Sequence, residues 1–187
     1  MQIIGGKFRG KRLEWVSDDT TRPTTARVKE NIFNILTSMG MDLCIAKVLV
    51  LFAGSGQMGI ECYSRGAKEI VFNDTSPSAR SIIKKNCESI GFKPEILGSD
   101  FLTCIDQLRK GGGSNAMRKF DLVFLDPPFK DINAAPDAAK RLREKGMLTD
   151  NAVIVAETEI DDLVFENFDV RLKKYGRACI YFAKQCF

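Results

Sequence analysis

Apolar residues recur along this chain in two rhythms. The first is helical. Val28, Ile32, Phe33, Ile35, Leu36 and Met39 return at three- and four-residue intervals, which predicts a helix packed by one side. Thr24 or Thr25 caps its start, and Gly40 closes it. The second rhythm is a short unbroken apolar run, seen at 47–52, 69–73, 94–97, 120–125 and 152–156. Runs of that length, rich in branched residues, predict strands buried on both faces. Helical stretches lie between them. They cover 57–65, a segment opened by Ser76 and Pro77 and ended before Gly91, then 102–109 and 136–145. At 168–174, Asp169, Arg171 and Lys173 alternate with apolar positions; a turn at Tyr175, Gly176 and Arg177 leads into 178–183. That pair reads as a hairpin at a sheet edge. Strands alternating with helices predict an α/β chain with a doubly wound parallel sheet.

The run at 47–52 ends in a loop carrying Gly54, Gly56 and Gly59, with a helix after it. Glycines there let the chain turn sharply and let a ligand approach main-chain N–H groups at a helix start. The spacing fits the dinucleotide fingerprint, and Asp74 lies near the acidic position which that fingerprint requires. The loop alone leaves a nicotinamide cofactor and S-adenosylmethionine both open. Four acids follow predicted strands: Asp74, Asp100, Asp126 and Glu157. In an open α/β sheet, ligands lie outside the carboxyl ends of the strands at the switch point, so these acids and the loop converge on one crevice. Asp74 and Asp100 have an equally good reading as helix caps. Asp126 does not, because two prolines follow it.

With 187 residues, 44% of them hydrophobic, the chain suits one domain with a short extension. The division falls into a basic arm, 1–21, and a main domain, 22–187. In the arm Lys7, Arg9, Lys11 and Arg12 surround Phe8 and three glycines, which predicts a small β-hairpin or extended segment outside the main sheet. Arg22 and Arg27 bracket the start of the first helix, where the dipole favours an anion rather than a cation. A net charge of +4 permits an anionic partner without requiring one. The six cysteines are scattered and mostly sit in apolar patterns, as reduced cytoplasmic thiols do. The absence of histidine removes the usual general base and the usual metal ligand. No metal is expected. Neither a signal peptide nor an apolar run of membrane-spanning length is evident. The glycine-rich segment 111–115 reads as a flexible loop.

The most informative stretch is Asp126, Pro127, Pro128 and Phe129. An exocyclic amine on a nucleobase is a poor nucleophile because its lone pair is delocalised into the ring. A methyl donor carried on a sulfonium is already activated, so neither metal nor histidine is needed. The protein must aim the nitrogen, exclude water and provide acceptors for the amine hydrogens. Asp126 is one acceptor. The Pro127 carbonyl is a second, held at a fixed angle by the two rings. Phe129 offers a face for a base taken out of its stack, a contact worth roughly 1–3 kcal/mol.

With these residues in place, the chain resembles the RsmD-type 16S ribosomal RNA guanine-N2 methyltransferases. The likeness runs through the arm at 3–13, Arg22 to Glu30, Phe33 and Asn34, and the loop from Leu51 to Gly59. It continues through Ser64 to Ala67, Asp126 to Phe129, and Tyr175 with Gly176. It implies a Rossmann-like class I fold with seven strands, mostly parallel with the last reversed, that binds S-adenosylmethionine. By this resemblance Phe52, Ala53, Gly54, Ser55 and Gly56 face the methionine part, Asp74 the ribose hydroxyls, and Asp100 with Phe101 the adenine. Residues 126–129 face the target base. Lys7, Phe8, Arg9, Lys11, Arg12, Arg22 and Arg27 face RNA and cofactor. The implied substrate is guanine 966, in reference numbering, of 16S rRNA in the small ribosomal subunit or a late assembly intermediate.

Two features depart from the family pattern. Asp74 stands where the family usually has Glu, with Ser76 in place of a second acid, and 111–115 looks like a local insertion. Rival readings are amino methyltransferases acting on DNA adenine, a protein glutamine or a small molecule. A nicotinamide oxidoreductase and a non-catalytic RNA-binding assembly factor are the others. The oxidoreductase leaves residues 126–129 without a role, and the assembly factor does not explain an intact set of acids.

Overall fold

The computed structural model describes residues 1–15, 25–108, 118–128 and 131–186. Arg22, Phe129 and the segment 111–115 lie outside them. In chain order the elements are α1 (Ala26–Ser38), β1 (Lys47–Leu51), α2 (Gln57–Ser64), β2 (Glu69–Asn73), α3 (Pro77–Glu88) and β3 (Glu95–Leu97). They continue with α4 (Phe101–Leu108), β4 (Phe120–Leu125), α5 (Ala134–Glu144), β5 (Leu148–Thr158), β6 (Phe168–Tyr175) and β7 (Ala178–Gln185). The strands form one sheet in the order β3-β2-β1-β4-β5-β7-β6. The five strands from β3 to β5 are parallel, and β7 runs antiparallel to both β5 and β6. The fold is thus the Rossmann-like seven-stranded sheet with a reversed last strand.

The unbroken apolar runs are explained by burial on two sides. Side chains alternate across a strand. Val48 and Val50, with Ile70, Phe72, Leu122 and Phe124, face a core shared with Ile32, Phe33 and Leu36 of α1, Ile60 of α2, and Ile83 and Cys87 of α3. Leu49 and Leu51, with Val71, Val123 and Leu125, face the opposite core, with Cys104 and Ile105 of α4 and Ala135, Ala138 and Leu142 of α5. A strand with both faces covered has no polar position to spare.

Local signals act where expected. Thr25 caps α1 by accepting the Val28 N–H at 3.3 Å, and Ser76 caps α3 with Pro77 at its first turn. One range departs clearly from the sequence reading: β5 begins at Leu148, not 152. Leu148 pairs with Phe120, and the register then shifts, so that Leu122 faces Val153. Asp121 sits at this irregularity and accepts the Lys47 N–H at 2.8 Å and the Thr149 hydroxyl at 2.9 Å. An irregularity of this kind interrupts the apolar run, so periodicity finds only the regular part.

The amino-terminal arm folds back outside the sheet. It pairs with itself through the antiparallel bridge Gln2 to Arg12, flanked by the Ile3 N–H to the Lys11 carbonyl at 3.0 Å and the Leu13 N–H to the Met1 carbonyl at 3.0 Å, with Ile3 and Leu13 buried beside it. Gly6 has φ +73°, and a Cβ there would lie 1.8 Å from the Ser64 carbonyl oxygen, so only glycine allows the arm so close to α2. The same logic holds α2 against the sheet at Gly59, where a Cβ would lie 2.4 Å from the Phe72 ring. Replacing Gly59 by alanine is expected to destabilise the fold by about 1–3 kcal/mol through overpacking. A lowered denaturant midpoint at unchanged m-value is the measurement that checks it.

Candidate active site

Strand register places the candidate residues in one row. Leu51 of β1 is level with Asn73 of β2 and with Leu125 of β4, and Leu125 is level with Ala156 of β5. The next residues along these strands are Phe52, Asp74, Asp126 and Glu157. They stand side by side at the carboxyl edge of the sheet, with neighbouring strands about 4.8 Å apart. β1 lies between β2 and β4, so the chain's winding reverses there, which is where such sheets bind ligands.

The glycine loop is tightly braced. The Ala53 N–H donates to the Asn73 carbonyl at 2.9 Å, the Gly54 N–H to Asp74 Oδ2 at 2.7 Å, and the Gly56 N–H to the Ala53 carbonyl at 2.7 Å. Asp74 also accepts the Ser76 N–H at 2.9 Å. It therefore shapes the loop from the next strand, which a helix cap alone would not do. Gly54 and Gly56 have φ of +55° and +79°. A Cβ on Gly54 would meet nothing within 4 Å, so the space over the loop is open. Gln57, the first residue of α2, is buried, and its Oε1 has no hydrogen-bond partner among the described residues. An open cradle beside an orphaned acceptor suits a ligand carrying N–H or O–H donors.

Phe52 is the one strained residue of the row. Its φ is +57° without being glycine, a conformation costing about 1–3 kcal/mol. Its ring meets that of Phe101 at 5.5 Å between centroids, so two residues expected at the cofactor do come together. Asp100 stands apart from the row. It is exposed and caps α4 by accepting the Thr103 N–H at 3.0 Å, and hydrogen bonds to Thr103 hold its carboxyl below the usual range.

Asp126 retains an exposed face, because it opens on the cleft, yet protein crowds its other sides. That crowding, and then the like charge of Glu157, push its carboxyl well above the usual carboxylate range. The Pro128 carbonyl accepts the Asp131 N–H at 2.9 Å, closing the turn that leads towards α5. No group of three or more potential metal ligands occurs among the described residues.

The described basic residues lie along the arm and at the start of α1. Lys7, Arg9, Lys11, Arg12 and Arg27 are all exposed. Phe8 is half-buried and stacks on Tyr63 at 5.8 Å, with Lys7 Nζ 5.3 Å from its ring centroid. A cavity of about 610 Å³ opens between the arm and the start of α1, lined by Arg12, Trp15, Thr25 and Lys29 among others. It does not include the row of acids.

Several residues that matter here gave no signal in the sequence. Glu61 is fully buried, receives the Ile4 N–H at 2.9 Å and pairs with Arg65 at 2.9 Å. Lys29 is also buried and donates to the Gln2 carbonyl at 2.8 Å. Burial pushes its ammonium down from the ordinary value, opposed by Glu61. Asn73 ties the end of β2 to Ser99, and Asn86 contacts both the arm and the loop. A lone polar residue in an apolar stripe is the only trace such groups leave in a sequence.

Parallel strands in this order, a glycine loop after β1 and an acid heading a Pro-Pro turn after β4 define a class I methyltransferase fold. The solved structure of a putative methyltransferase, yhhF, from Escherichia coli matches with a TM-score of 0.82 at 28% identity, covering 100% of this chain and 98% of that one. Ribosomal RNA small subunit methyltransferase D of Haemophilus influenzae is 35% identical over 165 residues, 86% of this chain and 80% of that protein. Putative rRNA methyltransferase YlbH of Bacillus subtilis is 32% identical, over 94% of each chain. A family model described as Conserved hypothetical protein 95 matches residues 1–184, and the chain belongs to this family, the RsmD type of methyltransferase.

The crowded acid pair makes a pH prediction. A carboxyl held above its ordinary pKa in the fold keeps a proton that the unfolded chain releases. Stability therefore falls as pH rises through the interval between the two values. Asp126→Asn should raise the melting temperature at neutral pH, with the gain fading as pH falls through that interval and gone by the ordinary carboxylate value of about 4. Melting curves across that range check it. Glu157→Gln should move the Asp126 carboxyl titration downward, read by carbon NMR.

Proposed function

We propose that this chain transfers a methyl group from S-adenosylmethionine to the exocyclic N2 amine of one guanine in 16S rRNA of the small ribosomal subunit. The observation that carries the reading is the register that sets Asp126 beside the glycine loop at the switch point. Membership of the RsmD family supplies the substrate class. An assembled subunit or late assembly intermediate is the proposed form of that substrate, and the cytoplasm the proposed location. No helix among the described residues is long and apolar enough to cross a membrane.

The residues present fit the cofactor. Main-chain groups from Phe52 to Gly56 line the open cradle, Asp74 has lone pairs left for a diol beyond the Gly54 and Ser76 N–H groups its two oxygens already hold, and the Phe52–Phe101 pair offers an aromatic wall for adenine. Asp100, exposed at the start of α4, is assigned to the same base. The cofactor supplies a methyl group already activated on positively charged sulfur. Asp126 and the Pro127 carbonyl accept hydrogen bonds from the amine, which localises the nitrogen lone pair; as the N–C bond formed and the C–S bond broke, the sulfur would leave as a neutral thioether and the one surplus amine proton would pass to the Asp126 carboxylate. The two prolines hold that acceptor pair rigid, so its alignment costs little at the moment of reaction. Phe129 receives the flipped base. A cation in the cleft relieves the repulsion between Asp126 and Glu157 and favours ionised Asp126.

In this reading residues 1–21 form the RNA-facing arm and 22–187 the catalytic domain. Lys7, Arg9, Lys11, Arg12, Arg22 and Arg27 anchor phosphates, contacts that set affinity while the pocket sets base choice.

Labelled methyl transfer to small subunits lacking the modification, followed by mapping of the labelled base, tests the assignment. N2-methylguanine is the expected product, and label on protein, DNA or another base overturns it. Asp126→Ala should slow single-turnover transfer roughly a hundredfold or more while S-adenosylhomocysteine still binds. Alanine at Lys7, Arg9, Lys11 and Arg12 together should weaken RNA binding. Each phosphate anchor removed should flatten the dependence of log affinity on log salt by about 0.7–0.9.

A further inference from the structure

Asn86 on α3 is 2% exposed and belongs to neither the glycine loop nor the arm, yet its side chain holds both. Its Oδ1 accepts the Glu14 N–H at 2.7 Å, and its Nδ2 donates to the Glu14 carbonyl at 3.1 Å. The amide therefore pairs with the arm's main chain in both directions. The same Nδ2 donates at 3.0 Å to the Ser55 carbonyl, in the middle of the loop. Both amide hydrogens are thereby committed.

The Ser55 contact fixes more than one oxygen. The Ser55–Gly56 peptide is held on one side by Asn86 and on the other by the Gly56 N–H bond to the Ala53 carbonyl at 2.7 Å. A peptide plane secured at both ends cannot rotate, so the directions of the loop's N–H groups are set. Ser55 is itself buried, with its hydroxyl 3.9 Å from Met1 Sδ, a second contact between loop and arm. At the arm's other end, Ser64 accepts the Phe8 N–H at 2.9 Å and donates to the Gly5 carbonyl at 2.6 Å. Ser64 is the last residue of α2, a helix length away from the loop.

We propose that Asn86 is a positioning residue that joins the arm to the glycine loop, so that an ordered arm raises the affinity of the loop for S-adenosylmethionine. This rests on the reading that the loop holds that cofactor. The arm acts through Asn86, and its Ser64 latch is one of the contacts that keep it in reach of Asn86. Removing the amide leaves the Ser55 carbonyl and both Glu14 main-chain groups without their buried partner, while removing the Ser64 hydroxyl loosens the arm alone. Groups that act through one shared contact show non-additive effects.

Calorimetric titration of four full-length proteins with S-adenosylhomocysteine tests this: the unaltered chain, Ser64→Ala, Asn86→Ala and the double variant. Ser64→Ala should weaken binding several-fold, Asn86→Ala roughly tenfold, and the double variant no more than Asn86→Ala. Melting temperatures of the same proteins are read alongside: Asn86→Ala should weaken binding more than Ser64→Ala does at an equal loss of melting temperature, which separates positioning from general destabilisation. If Asn86→Ala does not fold, Asn86→Asp takes its place. It keeps the acceptor for the Glu14 N–H but loses both donors, and the same pattern is expected. Unchanged binding by Ser64→Ala, or effects that multiply in the double variant, overturns the proposal alone. No binding by the unaltered chain overturns both the proposal and the cofactor reading.

Discussion

Register between parallel strands is the constraint on which everything else depends. A strand covered on both faces cannot slip by one residue without driving its side chains into the opposite core. β1 is held in this way between β2 and β4, so the residues that leave the strand ends are level to within a single position. Phe52, Asp74, Asp126 and Glu157 need no contacts of their own to converge. The cores beneath them fix their height and the strand order fixes their sequence along the cleft. The chemistry of the site is thus set by packing several residues away from it.

This placement costs stability at the site and is compensated elsewhere. Phe52 takes a left-handed conformation, two acids crowd together, and a glutamine oxygen is buried without a described partner. Two apolar cores, aliphatic and aromatic, offset these. Local strain concentrated where a ligand is to be held is the usual pattern of a functional site. Beside the cleft, α2 carries a second polar cluster. Glu61, Arg65 and Ser64 meet the main chain of residues 4–8, and Lys29 reaches Gln2 from α1. Buried polar groups of this kind hold an otherwise glycine-rich segment in one course.

Much of this architecture is legible in the order of residues alone. The strands stand out because burial on two faces leaves unbroken apolar runs, and Ser76 with Pro77 marks a helix start by local chemistry. Asp126 is distinguishable because prolines exclude the cap role that Asp100 has. What escapes is non-local. The extension of β5 back to Leu148 crosses an irregularity whose partner, Asp121, lies 28 residues earlier in the chain than Thr149. Glu61 and Asn86 read as ordinary helix residues, because what buries them is the arm, more than forty positions away. The arm reads in the sequence as a small hairpin or extended segment outside the main sheet. It does pair with itself, through the Gln2–Arg12 bridge and the main-chain bonds of Ile3 with Lys11 and of Leu13 with Met1, but its bonds to Glu61 and Ser64 of α2 leave no trace in the sequence.

The outer rim of the sheet carries one further consequence. Among the described residues β6 has a neighbour on one side only, and its residues Asp169, Val170, Arg171 and Lys174 are exposed. An open strand edge is a template on which another copy can add its own strand, the first step towards sheet-like aggregates. Charges spaced along this edge would be stripped of water and set against their counterparts by any such addition. These charges therefore oppose the addition of a foreign strand at this edge.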